Sequence, residues 1–248
     1  MILVIPSIDI KDGKTVRVVQ GIPELNCAAY GNDPVEMAMI WRTENAKFLH
    51  VVDFNCSHEH SHCNFEIIKK ICESVIVPVE LGGGIRNLEE AKQLLNLGVH
   101  RVVIGSLGII NKREFQKIIE ELGPKKISAA IDVVDNEVVI KGRTVKTGIR
   151  PDDYAKVLKS MGLERCIVTD VTRNGMMSGA NIELSKRIAV ETNLKVTHSG
   201  GVSGYEDLQK LNEVVSYGVD SVIIGRALYE NKFPCQKIWR KAESGIFS

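Results

Sequence analysis

Ile5-Pro6-Ser7-Ile8-Asp9-Ile10-Lys11-Asp12-Gly13 has a counterpart in Ala129-Ala130-Ile131-Asp132-Val133-Val134-Asp135-Asn136, and their aspartates lie 123 positions apart (132 − 9). Each stretch reads as an apolar strand ending on an aspartate. A tight-turn dipeptide follows three residues later, and then a short run that returns as a hairpin, Thr15–Gln20 in one case and Glu137–Lys141 in the other. Two further pairs recur at nearly the same offset. Gly82-Gly83-Gly84 matches Ser199-Gly200-Gly201, 117 positions on (200 − 83), and Gly105-Ser106 matches Gly225-Arg226, 120 positions on (225 − 105). The chain therefore repeats itself once, at half its length.

Working outward, eight apolar runs read as strands: Leu3–Ile8, Phe48–Val52, Val77–Leu81, Val102–Gly105, Ile127–Ile131, Cys166–Thr169, Lys195–His198 and Ser221–Ile224. Several are continuous rather than alternating, as parallel strands covered by helices are. Helices start between them. Asp33-Pro34-Val35-Glu36 sets a cap, a proline and an acidic residue in their preferred order. Asn87-x-x-Glu90, Asn111-x-x-Glu114 and Ser203-x-x-Glu206 repeat the capping pattern, and Gly123 stands at a helix end. Eight βα units fit an open doubly wound sheet or a closed barrel. The repeat of strand-end residues favours the barrel, because a doubly wound sheet has no reason to pair them. The expectation is α/β: one (βα)8 TIM barrel over residues 1–248, with half-barrels about 1–123 and 124–248.

Composition excludes other classes. The 248 residues carry 32 Lys and Arg against 31 Asp and Glu, with 44% hydrophobic residues, an ordinary globular balance. There is no basic face for nucleic acid and no apolar run of the roughly 18 to 20 residues that a membrane helix needs. Met1–Pro6 is too short and uncharged for a signal peptide, and the six cysteines, with no C-x-x-C pair, read as reduced thiols. A cytoplasmic monomer is expected.

In such a barrel the chemistry sits after the strands' C-terminal ends. The residues there fall into two sets. Gly83, Gly84, Gly105 and Ser106 in one half, and Ser199, Gly200, Gly201 and Gly225 in the other, let backbone N–H groups approach an anion. Arg86 and Arg226 add charge. Two matched sites on one mouth predict a small-molecule ligand with a phosphate at each end. Asp9 and Asp132 face each other between them, a pair suited to dividing acid and base work, with Asp53, Thr169 and Asp170 nearby. Cys56-Ser57-His58-Glu59-His60-Ser61-His62-Cys63 alternates histidines but lacks the spacing of a strong metal site, so it is read as a loop, substrate-facing or solvated, with no metal. His198, beside the second glycine turn, is expected to be structural.

These residues, with Val18-Val19-Gln20-Gly21, Tyr30-Gly31-Asn32-Asp33-Pro34, Leu81-Gly82-Gly83-Gly84-Ile85-Arg86, Thr169-Asp170-Val171-Thr172-Arg173-Asn174-Gly175, Ser178-Gly179-Ala180-Asn181 and Gly225-Arg226-Ala227-Leu228-Tyr229-Glu230, make the chain resemble the ribotide isomerases of histidine biosynthesis over nearly its full length. The resemblance implies an Amadori-type aminoaldose-to-aminoketose rearrangement of the bisphosphorylated ribotide ProFAR. In it Asp9 is the general base and Asp132 the general acid, Thr169 assists, and no cofactor or metal is required. It also implies substrate contacts at Gly21, Arg143, Asp170 and Gly179 besides the glycine turns.

Two places depart from the family pattern. After strand two the usual lysine is His58, and the usual Gly-Trp after strand five is Gly142-Arg143. A guanidinium stacks on a heterocycle too, though not as an indole does. Both changes fall on substrate loops. Three alternatives follow: the cyclase-type sister barrel, a lyase fed ammonia by a glutaminase on its opposite face; a paralogue acting on a related phosphosugar; or a catalytically silent barrel that only binds one.

Overall fold

The computed structural model describes residues 2–19, 22–24 (backbone only) and 32–233. Eight parallel strands form the centre: β1 Leu3–Lys11, β2 Leu49–Asp53, β3 Val79–Gly82, β4 Arg101–Ile104, β5 Ile127–Val134, β6 Arg165–Asp170, β7 Lys195–Ser199 and β8 Val219–Ile224. Neighbours pair in sequence order, and β1 also pairs with β8, so the sheet closes. The expected TIM barrel is the fold, and each of the eight sequence runs overlaps one strand.

Strand alternation explains where each residue goes. On β1, Val4, Ile8 and Ile10 face outward into the main core beneath the helices, while Ile5 faces the axis. Ile5, Phe48, Val103, Ile167 and Ile223 meet there in a second apolar cluster, each under 10% exposed. Next along the inward rows come Ser7 and Asp9, His50 and Val52, Asp132, and Thr169, at the strands' C-terminal ends.

The two hairpin turns are alike. Asp12 (φ 50°) and Gly13 (φ 74°) match Asp135 (φ 51°) and Asn136 (φ 62°), both central residues left-handed as a type I′ turn requires. After the second turn, Glu137–Ile140 returns against β5 as expected. The first is split: Lys14–Thr15 pairs with β1, and Arg17–Val19 pairs separately with Ile22–Glu24.

Helix starts follow their capping signals. Asp33 accepts from the amides of Val35 and Glu36 at the start of α1 (Pro34–Thr43). α2 (Phe54–Glu59) and α3 (Phe65–Ser74) come next. Asn87 caps α4 (Leu88–Asn96) through the Glu90 amide. A short α5 (Leu107–Ile110) leads into α6 (Lys112–Leu122), which Asn111 caps through the Glu114 amide. α6 buries Phe115, Ile118 and Ile119 and ends at Gly123, φ 81°. α7 (Pro151–Ser160), α8 (Ile182–Thr192), α9 (Tyr205–Glu213) and the short α10 (Arg226–Tyr229) complete the ring.

The Ser203 signal resolves differently. Gly204 is the cap of α9, and Ser203 instead gives its amide and hydroxyl to Asp207 Oδ2, at 2.8 and 2.7 Å. Asp207 lies one turn inside the helix, and its carboxylate takes both donors at once.

Candidate active site

The strands' C-terminal ends surround a cavity of about 850 Å3, lined by residues of both halves. The β1–β2 register sets Asp9 beside Val52, and the β5–β6 register sets Asp132 beside Thr169. The repeat inferred from the sequence is thus a repeat in space, and both aspartates and Thr169 reach the same cavity.

Their surroundings differ. Asp9 lies at the floor and accepts from Ser7 Oγ at 3.2 Å. Burial pushes its carboxyl above the usual aspartate range, and the charge of His50, the Ser7 hydrogen bond and the charge of Arg143 partly offset this. Asp132 is gripped by Arg143, whose Nε lies 3.2 Å from Oδ2 and whose Nη2 lies 3.4 Å from Oδ1. Arg143 therefore does enter the cavity, though its partner is the second carboxylate.

The glycine turns show why no other residue serves. Gly83 (φ 128°) and Gly84 (φ 67°) follow β3, and Gly200 (φ 97°) and Gly201 (φ 82°) follow β7. A Cβ on Gly83 would strike the Asp53 carbonyl oxygen, and one on Gly200 would come within 3.0 Å of that of Asp170. The second glycine of each pair is as crowded: a Cβ on Gly84 would meet the carbonyl oxygen of Cys56, and one on Gly201 that of Gly179. An arginine ties down each of those carbonyls. Arg86 Nη2 donates to Cys56 O at 2.8 Å and Arg173 Nη1 to Gly179 O at 3.0 Å. Gly105 and Gly225 precede the four-residue helices α5 and α10 at the same rim. The two turns and the two short helix starts offer backbone amides to anions on opposite sides of the mouth.

Several expected contacts have supporting roles here. Arg226 lines the cavity, with Nε at 2.5 Å from Glu230 and Nη1 at 2.7 Å from Gly175 O, so it ties α10 to the loop after β6. Asp170 and Gly179 stand behind the second turn rather than on the cavity wall. Asp170 accepts from Thr172 and Asn181, and the Gly179 amide donates to Gly201 O. Ser106 accepts from the Lys141 amide at 2.8 Å, joining the loops after β4 and β5. Gly21 lies outside the described residues, as do Cys27, Tyr30, Gly31 and Cys235.

The histidine-rich run begins as a helix, not a loop. Asp53 caps α2 by accepting from the Cys56 amide, and His60 ends it in the left-handed conformation. His58 stacks on Phe54 and stands against Gly142, where a Cβ would come 2.9 Å from its Nε2. His60 contacts Arg86, and His62 packs edge-on against Phe65. His58 and His60 are exposed and both line the cavity. Among the described residues, no group of three His, Cys, Asp or Glu converges to hold a metal ion.

His198, on the outward row of β7, is fully enclosed. Nε2 donates to Gly200 O at 3.0 Å, leaving Nδ1 to accept from Ser185 Oγ at 2.8 Å. Burial holds its pKa down at about 4, so the ring stays neutral and fixes the second glycine turn. His50 was missed from sequence. Its signal was parity: it alternates with Phe48 and Val52 and so faces the axis.

Residues 3–234 match the family model described as histidine biosynthesis protein. A protein of Chloroherpeton thalassium is 44% identical over 98% of this chain and 93% of its own length. Those of Prosthecochloris aestuarii (42%, covering 98% and 93%) and Chlorobium phaeovibrioides (44%, covering 98% and 95%) are similarly close. All three are named 1-(5-phosphoribosyl)-5-((5-phosphoribosylamino)methylideneamino) imidazole-4-carboxamide isomerase. A barrel that repeats its aspartate and its glycine turn in each half, matched along almost all its length, belongs to the histidine biosynthesis protein family.

Proposed function

We infer that the chain is an isomerase of histidine biosynthesis that converts the two-phosphate aminoaldose ribotide in its relatives' name to the aminoketose. The observation that carries this reading is the pair Asp9 and Asp132, at equivalent strand ends on one cavity, between two equivalent glycine turns. The turns hold one phosphate each and stretch the substrate across the mouth, placing its reacting sugar between the carboxyls. Asp132, with Thr169 beside it, protonates the ribose ring oxygen, and the ring opens to a Schiff base. Asp9 then takes the proton from C2. The electron pair moves toward the iminium nitrogen to give an enolamine, which tautomerises to the aminoketose. Arg143 occupies both oxygens of Asp132 in the free site, so it swings away as substrate enters, and Asp132 takes up a proton from solvent that it then gives to the ring oxygen. The Arg143 guanidinium and His58 then face the substrate from the loops after β5 and β2.

One feature favours this over ammonia-dependent cyclisation. The relatives that match almost all of the chain are named as isomerases. The test is ProFAR conversion followed by absorbance. Asp9→Asn and Asp132→Asn should each lose about 10²- to 10⁴-fold in kcat while still binding a bisphosphate. Wild-type turnover by Asp9→Asn would overturn the assignment.

A further inference from the structure

A charged line from three strands leads away from Asp9, and the mechanism above does not use it. Glu80 on β3 is completely buried and accepts on both oxygens. Oε1 lies 2.9 Å from Nδ1 of His50, and Oε2 takes Nε and Nη2 of Arg101 at 2.9 and 2.6 Å. The Arg101 guanidinium also lies over the Phe48 ring, 4.9 Å from its centre. A carboxylate only accepts, so the His50 nitrogen facing Glu80 carries the hydrogen, and Nε2 remains as the second polar atom of a side chain that lines the cavity with Asp9.

Arg101 and Glu80 pair, and the β1–β2 register, which sets Ser7 beside His50 and Asp9 beside Val52, brings the imidazole and the Asp9 carboxyl to neighbouring inward rows of one cavity. An enclosed carboxylate with no opposite charge is costly and takes up a proton instead. Protonated Asp9 is no base. Besides His50 from β2, the groups facing Asp9 are the Ser7 hydroxyl from its own strand and Arg143 from the loop after β5. Arg143 pairs with Asp132 before substrate enters. Facing His50 are Glu80 from β3 and Asp9 from β1, with Arg101 of β4 behind Glu80. Burial alone would raise the Glu80 pKa, but His50 and Arg101 outweigh it and hold the group ionised.

We propose that His50, clamped by the Glu80–Arg101 pair, is the positioning residue that keeps Asp9 a carboxylate, ready to remove the C2 proton. The proposal rests on Asp9 being the base. Its test is the pH profile of kcat/KM for ProFAR in the intact enzyme, comparing wild type with His50→Gln and Glu80→Gln. His50→Gln keeps an amide donor for Glu80 and removes the imidazole, so it remains informative even where Glu80→Gln fails to fold. An opposite charge at close range lowers a carboxyl by about 1–3 pH units, so its loss should move the acidic limb upward by about one unit or more, with activity recovering toward alkaline pH. Glu80→Asp, which keeps the charge, should leave the limb near its wild-type position. An acidic limb that stays in place in His50→Gln, whether activity is retained or falls equally at every pH, overturns the proposal. Turnover surviving in Asp9→Asn would instead remove the reading beneath it, so the two failures are distinguishable.

Discussion

Replacing Gly84 by alanine tests whether the glycine turn after β3 is as tightly built as its geometry says. The cost has two parts. A φ of 67° is a left-handed conformation, which costs a non-glycine residue about 1–2 kcal/mol. The new Cβ also runs into the Cys56 carbonyl oxygen, a backbone atom that Arg86 holds at 2.8 Å and that cannot simply rotate aside. Forcing such an overlap typically costs a further ~1–3 kcal/mol, for a total of about 2–5 kcal/mol. At roughly 2–4 °C per kcal/mol for a chain of this size, Tm should fall by about 4–20 °C. Gly162→Ala is the control. Its φ is 86°, yet nothing lies within 4 Å of its Cβ position, so it should show only the first part of the loss. Thermal unfolding of both variants, with KM for the bisphosphate measured below the transition, separates the terms. KM should rise for Gly84→Ala and stay unchanged for Gly162→Ala. Equal Tm losses in the two would refute the argument that close backbone approach, rather than φ alone, demands glycine here.

His198 should make stability depend on pH. Its folded pKa of about 4 lies below the ordinary value near 6.5, so on acidification the unfolded chain takes up a proton first. Stability should fall between about pH 6.5 and 4, by roughly 3 kcal/mol for this one group, and denaturant titrations of His198→Gln should show a flatter profile over that window. Arg165→Met should lower stability by about 2–3 kcal/mol, because it strands Asp220, now paired at 2.7 and 2.5 Å with Nη1 and Nη2, beside Thr197 and Ser221. Asp220→Asn in the same background should recover part of the loss, and an unchanged urea midpoint for Arg165→Met would contradict the pairing.

The fold was legible because its determinants are local or repeated. Continuous β-branched runs marked the strands, and duplicated strand ends marked closure. Boundaries slipped where pairing extends beyond apolarity. The first run seemed to end at Ile8, yet β1 continues to Lys11, because Asp9 and Ile10 pair with Val52 and Asp53. Cys56–Cys63 was read as loop, since alternating histidines carry no helical period, yet Phe54–Glu59 is a helix. What makes it helical is Asp53 capping its first turn, while Asn64 Nδ2 fixes that carboxylate at 2.8 Å. The glycine turns were visible as glycines, and the aspartates as strand ends. Partnerships between distant positions were not visible. Nothing near Arg143 announces Asp132, and nothing near His50 announces Glu80 or Arg101, because those contacts exist only once the strands stand side by side.

The duplicated turns have a consequence for the direction in which a ligand lies. Two anchors related by a half-barrel repeat are degenerate, because either can receive either end of a long bisphosphate. A substrate whose two ends differ must therefore be oriented by whatever breaks the repeat. Here that is α2, with His58 and His60 on one side, against Thr172–Asn181, held by Arg173 and Arg226, on the other. If each turn holds a phosphate, as proposed above, duplication alone gives two equal anchors, and divergence of the loops gives them polarity. The turns are consequently the places where change is least tolerated, and the loops after β2 and β6 those where a new substrate would leave its mark.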